Sequence, residues 1–123
     1  YENIEEYEKL MDHVFIQNNF NKGIWKDKVN FDKQKRHMQS TAGKNKSYFY
    51  DDINVEKLYN DYKMTGKFRR RNGVNEHNFE LIDSDSIRSY GIDIYTNKPI
   101  NGFTIHYSKS GAHLIPTYNK IKE

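Results

Sequence analysis

Two of the chain's five histidines, His106 and His113, fall within ten residues of each other in the stretch FTIHYSKSGAHLIPTY, residues 103–118. Imidazole is the side chain best suited to exchanging a proton at neutral pH, so a close pair is a candidate acid–base apparatus. Ser110-Gly111 suits a two-residue hairpin turn, which predicts that Ser108 pairs with His113, Tyr107 with Leu114 and His106 with Ile115. Side chains alternate along a strand, so Phe103, Ile105, Tyr107, Leu114 and Pro116 share one face, a core face. Thr104, His106, Ser108 and His113 share the other, which is expected to be accessible. An exposed histidine on an antiparallel sheet is ordinary; two with hydroxyls beside them are less so.

A third histidine, His37, sits among Lys33, Lys35, Arg36, Lys44 and Lys46, with Ser40 and Thr41 after it. Surrounding positive charge disfavours an imidazolium, which suits a proton acceptor, and the same cations can hold a phosphate or offset charge developing on it. The densest positive run is KFRRRNG, residues 67–73, where Arg70 points opposite to Arg69 and Arg71 if the run is extended. Both segments also read as ordinary solvated turns. His37, His106 and His113 could instead converge with Asp93 or Glu80 on a metal ion, although no HExxH-type spacing or carboxylate cluster surrounds them.

The elements that must position these groups change character along the chain. A helical stripe of Ile4, Tyr7, Leu10, Met11, Val14 and Phe15 predicts a helix over residues 4–15, with Glu2, Glu5 and Glu6 at its start. Residues 18–30 read as a loop or leader holding Trp25, residues 32–39 as a short helix, and 48–50 as extended. A second helix is predicted over 55–64, capped by Asp52 or Asn54 and ended by Gly66. Strands follow at 67–71 and 74–82 around Asn72-Gly73, then at 88–95, 103–108 and 113–118. Helices first and then a meander of strands predict an α+β fold. Its helices pack on one face of a four- to five-stranded antiparallel sheet and leave the other face open. Residues 1–30 divide off as helix and leader from 31–123, all within one compact domain.

Composition sets outer bounds. The hydrophobic fraction is 35%, so ten tyrosines and seven phenylalanines must supply much of the core's bulk. A net charge of +3 permits a nucleic-acid partner without requiring one. The absence of cysteine excludes disulfides and thiolate metal sites. No apolar run approaches the ~20 residues of a membrane-spanning helix. The start at Tyr1 fits a piece of a longer protein.

Gln34, Arg36, His37, Thr41, Lys46-Ser47, Thr65-Gly66, then IHYSK at 105–109 and GAHLIP at 111–116 occur in an order that resembles the polymorphic toxin type 50 domain. The resemblance runs from about Lys33 to Thr117; Arg36 stands where lysine is common, Gln39-Ser40 where a pair with glycine is usual, and Ala112 where threonine is common. It implies a ribonuclease toxin of the group that includes barnase, EndoU, colicin and RelE-type nucleases, acting without metal or other cofactor. It also implies a place at the C-terminus of a larger secreted protein used in contact-dependent inhibition, action in the target-cell cytoplasm, and a cognate immunity protein. On this reading the substrate is RNA, with transfer RNA among the candidates, and the immunity protein is acidic. The candidate catalytic residues are then His37, His106, Ser108 and His113; Arg36, Lys46, Arg70, Thr104 and Lys109 are candidate substrate contacts. A nucleic-acid-binding module without catalysis and a metal-dependent nuclease are the alternatives.

Overall fold

The β-branched and aromatic residues of the C-terminal half pair as an antiparallel meander. The structure, a computed structural model, describes residues 4–71 and 74–118, with side chains given outside 69–77. A four-stranded sheet runs in the order β2 (Lys67–Arg71), β3 (Val74–Asp83), β6 (Gly102–His106) and β7 (His113–Thr117). A smaller sheet joins β1 (Tyr48–Phe49), β4 (Gly91–Asp93) and β5 (Lys98–Pro99). With helices α1 (Ile4–Asn21), α2 (Phe31–Gln34) and α3 (Val55–Tyr62), this is an α+β fold, as the sequence pattern predicts. Asn72-Gly73 lies outside the described residues. Among the described residues no helix is long and apolar enough to cross a membrane.

The core lies on the predicted face. Phe103, Ile105, Tyr107 and Leu114 are buried there, with Phe68, Ile82 and Pro116. Aromatic rings fill the space above them. Trp25 stacks flat on Tyr107 at 4.9 Å, and Phe49 and Tyr62 meet Phe103 edge-on at 6.2 and 5.6 Å. Glu80 is buried on this face too, and accepts hydrogen bonds from Tyr107 Oη and from the backbone N–H groups of Met64 and Gly66. It thereby fixes the turn after α3, where Met64 adopts a left-handed φ of 62° and stops the helix short of the predicted 64. A side chain at Gly66 would drive its Cβ to 2.0 Å from the Leu81 carbonyl, so only glycine fits that approach.

Helix α1 reverses its expected orientation and runs longer than predicted. Ile4, Tyr7, Leu10, Met11 and Val14 are exposed, while Asp12, Ile16 and Asn19 face inward. The inward face meets β2. Asp12 accepts the Phe68 N–H at 3.0 Å, and His13 Nε2 donates to the Gly66 carbonyl at 2.9 Å, so a polar helix face is hydrogen-bonded to the backbone of β2 and the residue before it.

Two further expectations give way. Of the strand predicted over 88–95 only 91–93 forms; residues 88–90 belong to a 3-10 turn over Asp85–Tyr90. The β6–β7 connection is also longer than two residues. Gly111, at φ 116°, closes a turn in which its N–H donates to the Ser108 carbonyl at 3.1 Å and Ser108 Oγ donates to the Gly111 carbonyl at 2.6 Å. Ala112 is drawn outward into a parallel bridge with Val29, donating to the Lys28 carbonyl and accepting from Asn30 N–H, both at 2.7 Å. The ladder therefore pairs His106 with His113, Ile105 with Leu114 and Thr104 with Ile115. A shift of two residues keeps the side chains that remain in the ladder on their predicted faces but changes their partners.

Candidate functional site

His106 and His113 are brought directly opposite each other by this register, with ring centroids 4.9 Å apart. Ser108 loses its predicted place across from His113 and instead belongs to the connecting turn, where its Oγ accepts from Lys33 Nζ at 3.1 Å. The predicted accessibility also needs correction. His106 is half-buried, but His113 is only 7% exposed and Thr104 only 6%, because the site face is partly covered rather than open. Thr104 lies in the ladder beneath His106, between Leu81 and Ile115.

His37 joins the pair from the side. α2 continues as a 3-10 turn over Lys35–His37 that is held against β7, the outer strand of the sheet. Gln34 provides the attachment: its Nε2 donates to the Leu114 carbonyl at 2.9 Å and its Oε1 accepts the Leu114 N–H at 2.7 Å. One buried amide thus completes the strand edge as a neighbouring strand would. The Lys35–His37 turn places the His37 ring nearly parallel to His113, at 6.1 Å and 12°. His113 is the ring common to both pairs.

The hydrogen bonds around His37 define its tautomer. Nδ1 lies 3.0 Å from the Ser47 carbonyl, which can only accept, so Nδ1 carries the proton and a neutral His37 presents its lone pair at Nε2. Ser47 is itself fixed. Its Oγ donates to Asp93 at 3.1 Å and accepts the Ile94 N–H at 2.9 Å. The other Asp93 oxygen takes the Thr96 N–H and hydroxyl at 2.9 and 2.7 Å. On the opposite side of the cluster, Phe79 stacks on His106 at 4.3 Å, and the Asn78 amide meets His106 Nε2 at 3.0 Å.

The electrostatics point one way. Burial lowers the His37 pKa; the Ser47 hydrogen bond acts against this, and Lys46 and Arg36 add to the lowering. Burial pushes His113 down to about 4, with His106, His37, Lys33 and Arg36 contributing in the same direction. Every charge that shifts these two rings is positive. His113 also keeps a buried Nδ1 with no hydrogen-bond partner. His37 and His113 are therefore neutral rings in a cationic surround, an arrangement suited to an anion that brings its own acceptors and charge.

Arg36 and Lys46 are exposed at the rim, and Lys109 is exposed on the β6–β7 turn. Arg70 pairs with Asn75 in β2, and its side chain lies outside the described residues. Asp93 and Glu80, the carboxylates of the metal alternative, spend both oxygens on Ser47 and Thr96, and on the turn after α3 and Tyr107. Among the described residues no group of three or more His, Cys, Asp or Glu side chains is arranged to hold a metal ion.

Lys33 enters the sequence reading only as one of the cations around His37, and Gln34 only as part of the resemblance; neither is assigned a contact in the site there. Asn78 and Phe79 meet His106 only through the β3–β6 register, which pairs Phe79 with His106 and which no local pattern specifies.

No curated protein and no solved structure gives a significant match to the chain. Residues 29–116, well over half of the chain, match the family model described as bacterial toxin 50. That span opens at the strand-like contact of Val29 with Ala112 and closes within β7, so it encloses all three histidines and the Gln34 attachment while leaving out α1. The part of the fold that builds the histidine cluster is thus the part that carries the match, and the chain belongs to the bacterial toxin 50 family.

Proposed function

We propose that this toxin domain is a metal-independent endoribonuclease. The observation that carries the reading is the set of three imidazoles on one half-covered sheet face, beside Lys33, Arg36 and Lys46. His37 Nε2 takes the proton from a ribose 2′-hydroxyl, because its tautomer and lowered pKa keep that lone pair available at neutral pH. The resulting oxygen attacks the adjacent phosphorus, and the 5′-oxygen leaves with a cyclic phosphate behind it. His106 supplies the proton to that leaving oxygen; its imidazolium would lie against the Phe79 ring, a cation–π contact, with the Asn78 amide turned to offer its oxygen to Nε2–H. His113 stays neutral and donates an N–H to a non-bridging phosphoryl oxygen. Lys33 and Arg36 offset the charge that develops there, with Lys46 and Lys109 holding flanking phosphates. Ser108 positions Lys33 rather than reacting itself.

On the same reading the domain is delivered as part of a larger secreted protein, acts in the cytoplasm of the target cell, and is neutralised by an acidic immunity protein. Incubation with total RNA, with and without chelator, followed by end-group analysis, tests the chemistry. Cleavage that persists in chelator and leaves 2′,3′-cyclic phosphate ends is expected. Cleavage abolished by chelator, or binding without cleavage, would replace this reading with one of its alternatives.

A further inference from the structure

Tyr95 is 84% exposed, and its neighbour Ile94 is 37% exposed, although both sit on one of the more tightly bonded turns of the molecule. Asn97 N–H donates to the Asp93 carbonyl at 2.8 Å, Asn97 takes the left-handed φ of 56° that closes the turn, and Thr96 is bound to the Asp93 carboxylate through its N–H and hydroxyl. A large aromatic ring facing water from a fixed backbone contributes nothing to the core. It does offer a flat apolar surface at little entropic cost on binding.

The turn is also wired to the site. Ile94 N–H donates to Ser47 Oγ at 2.9 Å, and the carbonyl of the same Ser47 accepts His37 Nδ1 at 3.0 Å. Tyr95 follows Ile94 by one Cα step of about 3.8 Å. Two hydrogen bonds through Ser47 and one Cα step therefore tie the Tyr95 backbone to the His37 side of the site. Lys46, exposed and adjoining Ser47, offers a cation to a phosphate on this side of the site.

We infer that Tyr95 is a stacking platform for an unpaired base flanking the scissile bond, which makes single-stranded or looped RNA the preferred substrate. This rests on the ribonuclease reading and adds a substrate class to it. Bases must be unstacked to reach an aromatic ring, and such stacking tolerates any base identity. The platform therefore selects strand state and not sequence.

The test compares the wild-type protein with Y95A and Y95W on three substrates built around a cleavage site mapped in wild type. These are an unstructured oligoribonucleotide, the same oligomer with abasic residues flanking the cleaved bond, and the dinucleotide alone. Y95A should lose roughly ten- to a hundredfold in kcat/KM on the intact oligomer, mostly through KM, and Y95W should retain activity. Wild type and Y95A should be equal on the abasic oligomer and on the dinucleotide. Quenching of 2-aminopurine at a flanking position, in an oligomer made uncleavable by a 2′-deoxy substitution, should be present in wild type and Y95W and lost in Y95A. Equal activity of wild type and Y95A on the intact oligomer overturns the inference while the ribonuclease reading stands. A Y95A variant that loses only immunity-protein binding also overturns it and assigns the ring to a protein partner. A wild-type protein that cleaves no RNA removes both.

Discussion

His106 and His113 face each other across the β6–β7 ladder at 4.9 Å, and the second of them is almost completely buried with an unpartnered Nδ1. A neutral histidine held in this way makes stability depend on pH. The ordinary histidine value is 6.5, and burial pushes His113 down to about 4. Between these values the unfolded chain binds a proton that the folded chain does not, so stability falls as pH falls from 6.5 to about 4 and the loss is complete below that. The full effect is of order 3 kcal/mol. Urea unfolding of wild type and H113N across this range should show the stability difference between them changing by that order. Parallel curves would mean that His113 is not held neutral.

Removing either proposed proton carrier should cost more than removing a phosphate contact. H37A and H106A should each lower kcat by roughly 10²–10⁴ with the far-UV spectrum retained. The acid limb of kcat/KM reports His37 in the free enzyme, and positive neighbours now lower its pKa. K46Q or R36Q removes one of them, raises the His37 pKa and should move that limb to higher pH. A limb unmoved in both variants would take His37 out of the base role.

Gln34 ties the turn that carries His37 to β7. Q34A leaves both the N–H and the carbonyl of Leu114 without their partner in a buried place, and should cost about 2–4 kcal/mol. Because the same contact holds His37 beside His113, activity at a temperature where Q34A is still folded should also fall. Chemical denaturation and an initial-rate assay separate the two effects. A stable, fully active Q34A would show that the His37 segment is held by its other contacts alone.

What the sequence makes legible follows from the range of the physics involved. Alternation along a strand is local, so the Phe103–Ile105–Leu114 core face and the sharing of the opposite face by His106 and His113 are read correctly even though the turn and that face's accessibility are not. The register depends on Lys28–Asn30 pulling Ala112 outward, a contact between segments some eighty residues apart, and no Ser-Gly pattern encodes it. Helix α1 misleads for a related reason. Its apolar stripe is real, but the inward face is the one whose Asp12 accepts the Phe68 N–H on β2. His37 is found from its basic surroundings. Its tautomer, which gives it a role, comes from the Ser47 carbonyl and becomes visible only in three dimensions.

The cationic rim leads to a prediction about neutralisation. Lys33, Arg36 and Lys46 lie around His37 and His113, whose lowered pKa values keep those two rings uncharged at neutral pH, so the cations leave the field of the site positive before any substrate arrives. An acidic immunity protein that covers this face gains a faster encounter from that field, and the gain is screened as salt rises. Stopped-flow association should slow steeply between low and physiological ionic strength, while dissociation changes little. Arg36 and Lys46 are exposed, so their reversal to glutamate should act mainly on the on-rate and flatten its salt dependence. The complex should leave RNA uncut. An on-rate indifferent to salt, in a complex that still cleaves RNA, would place the partner away from the histidines and require neutralisation by another route.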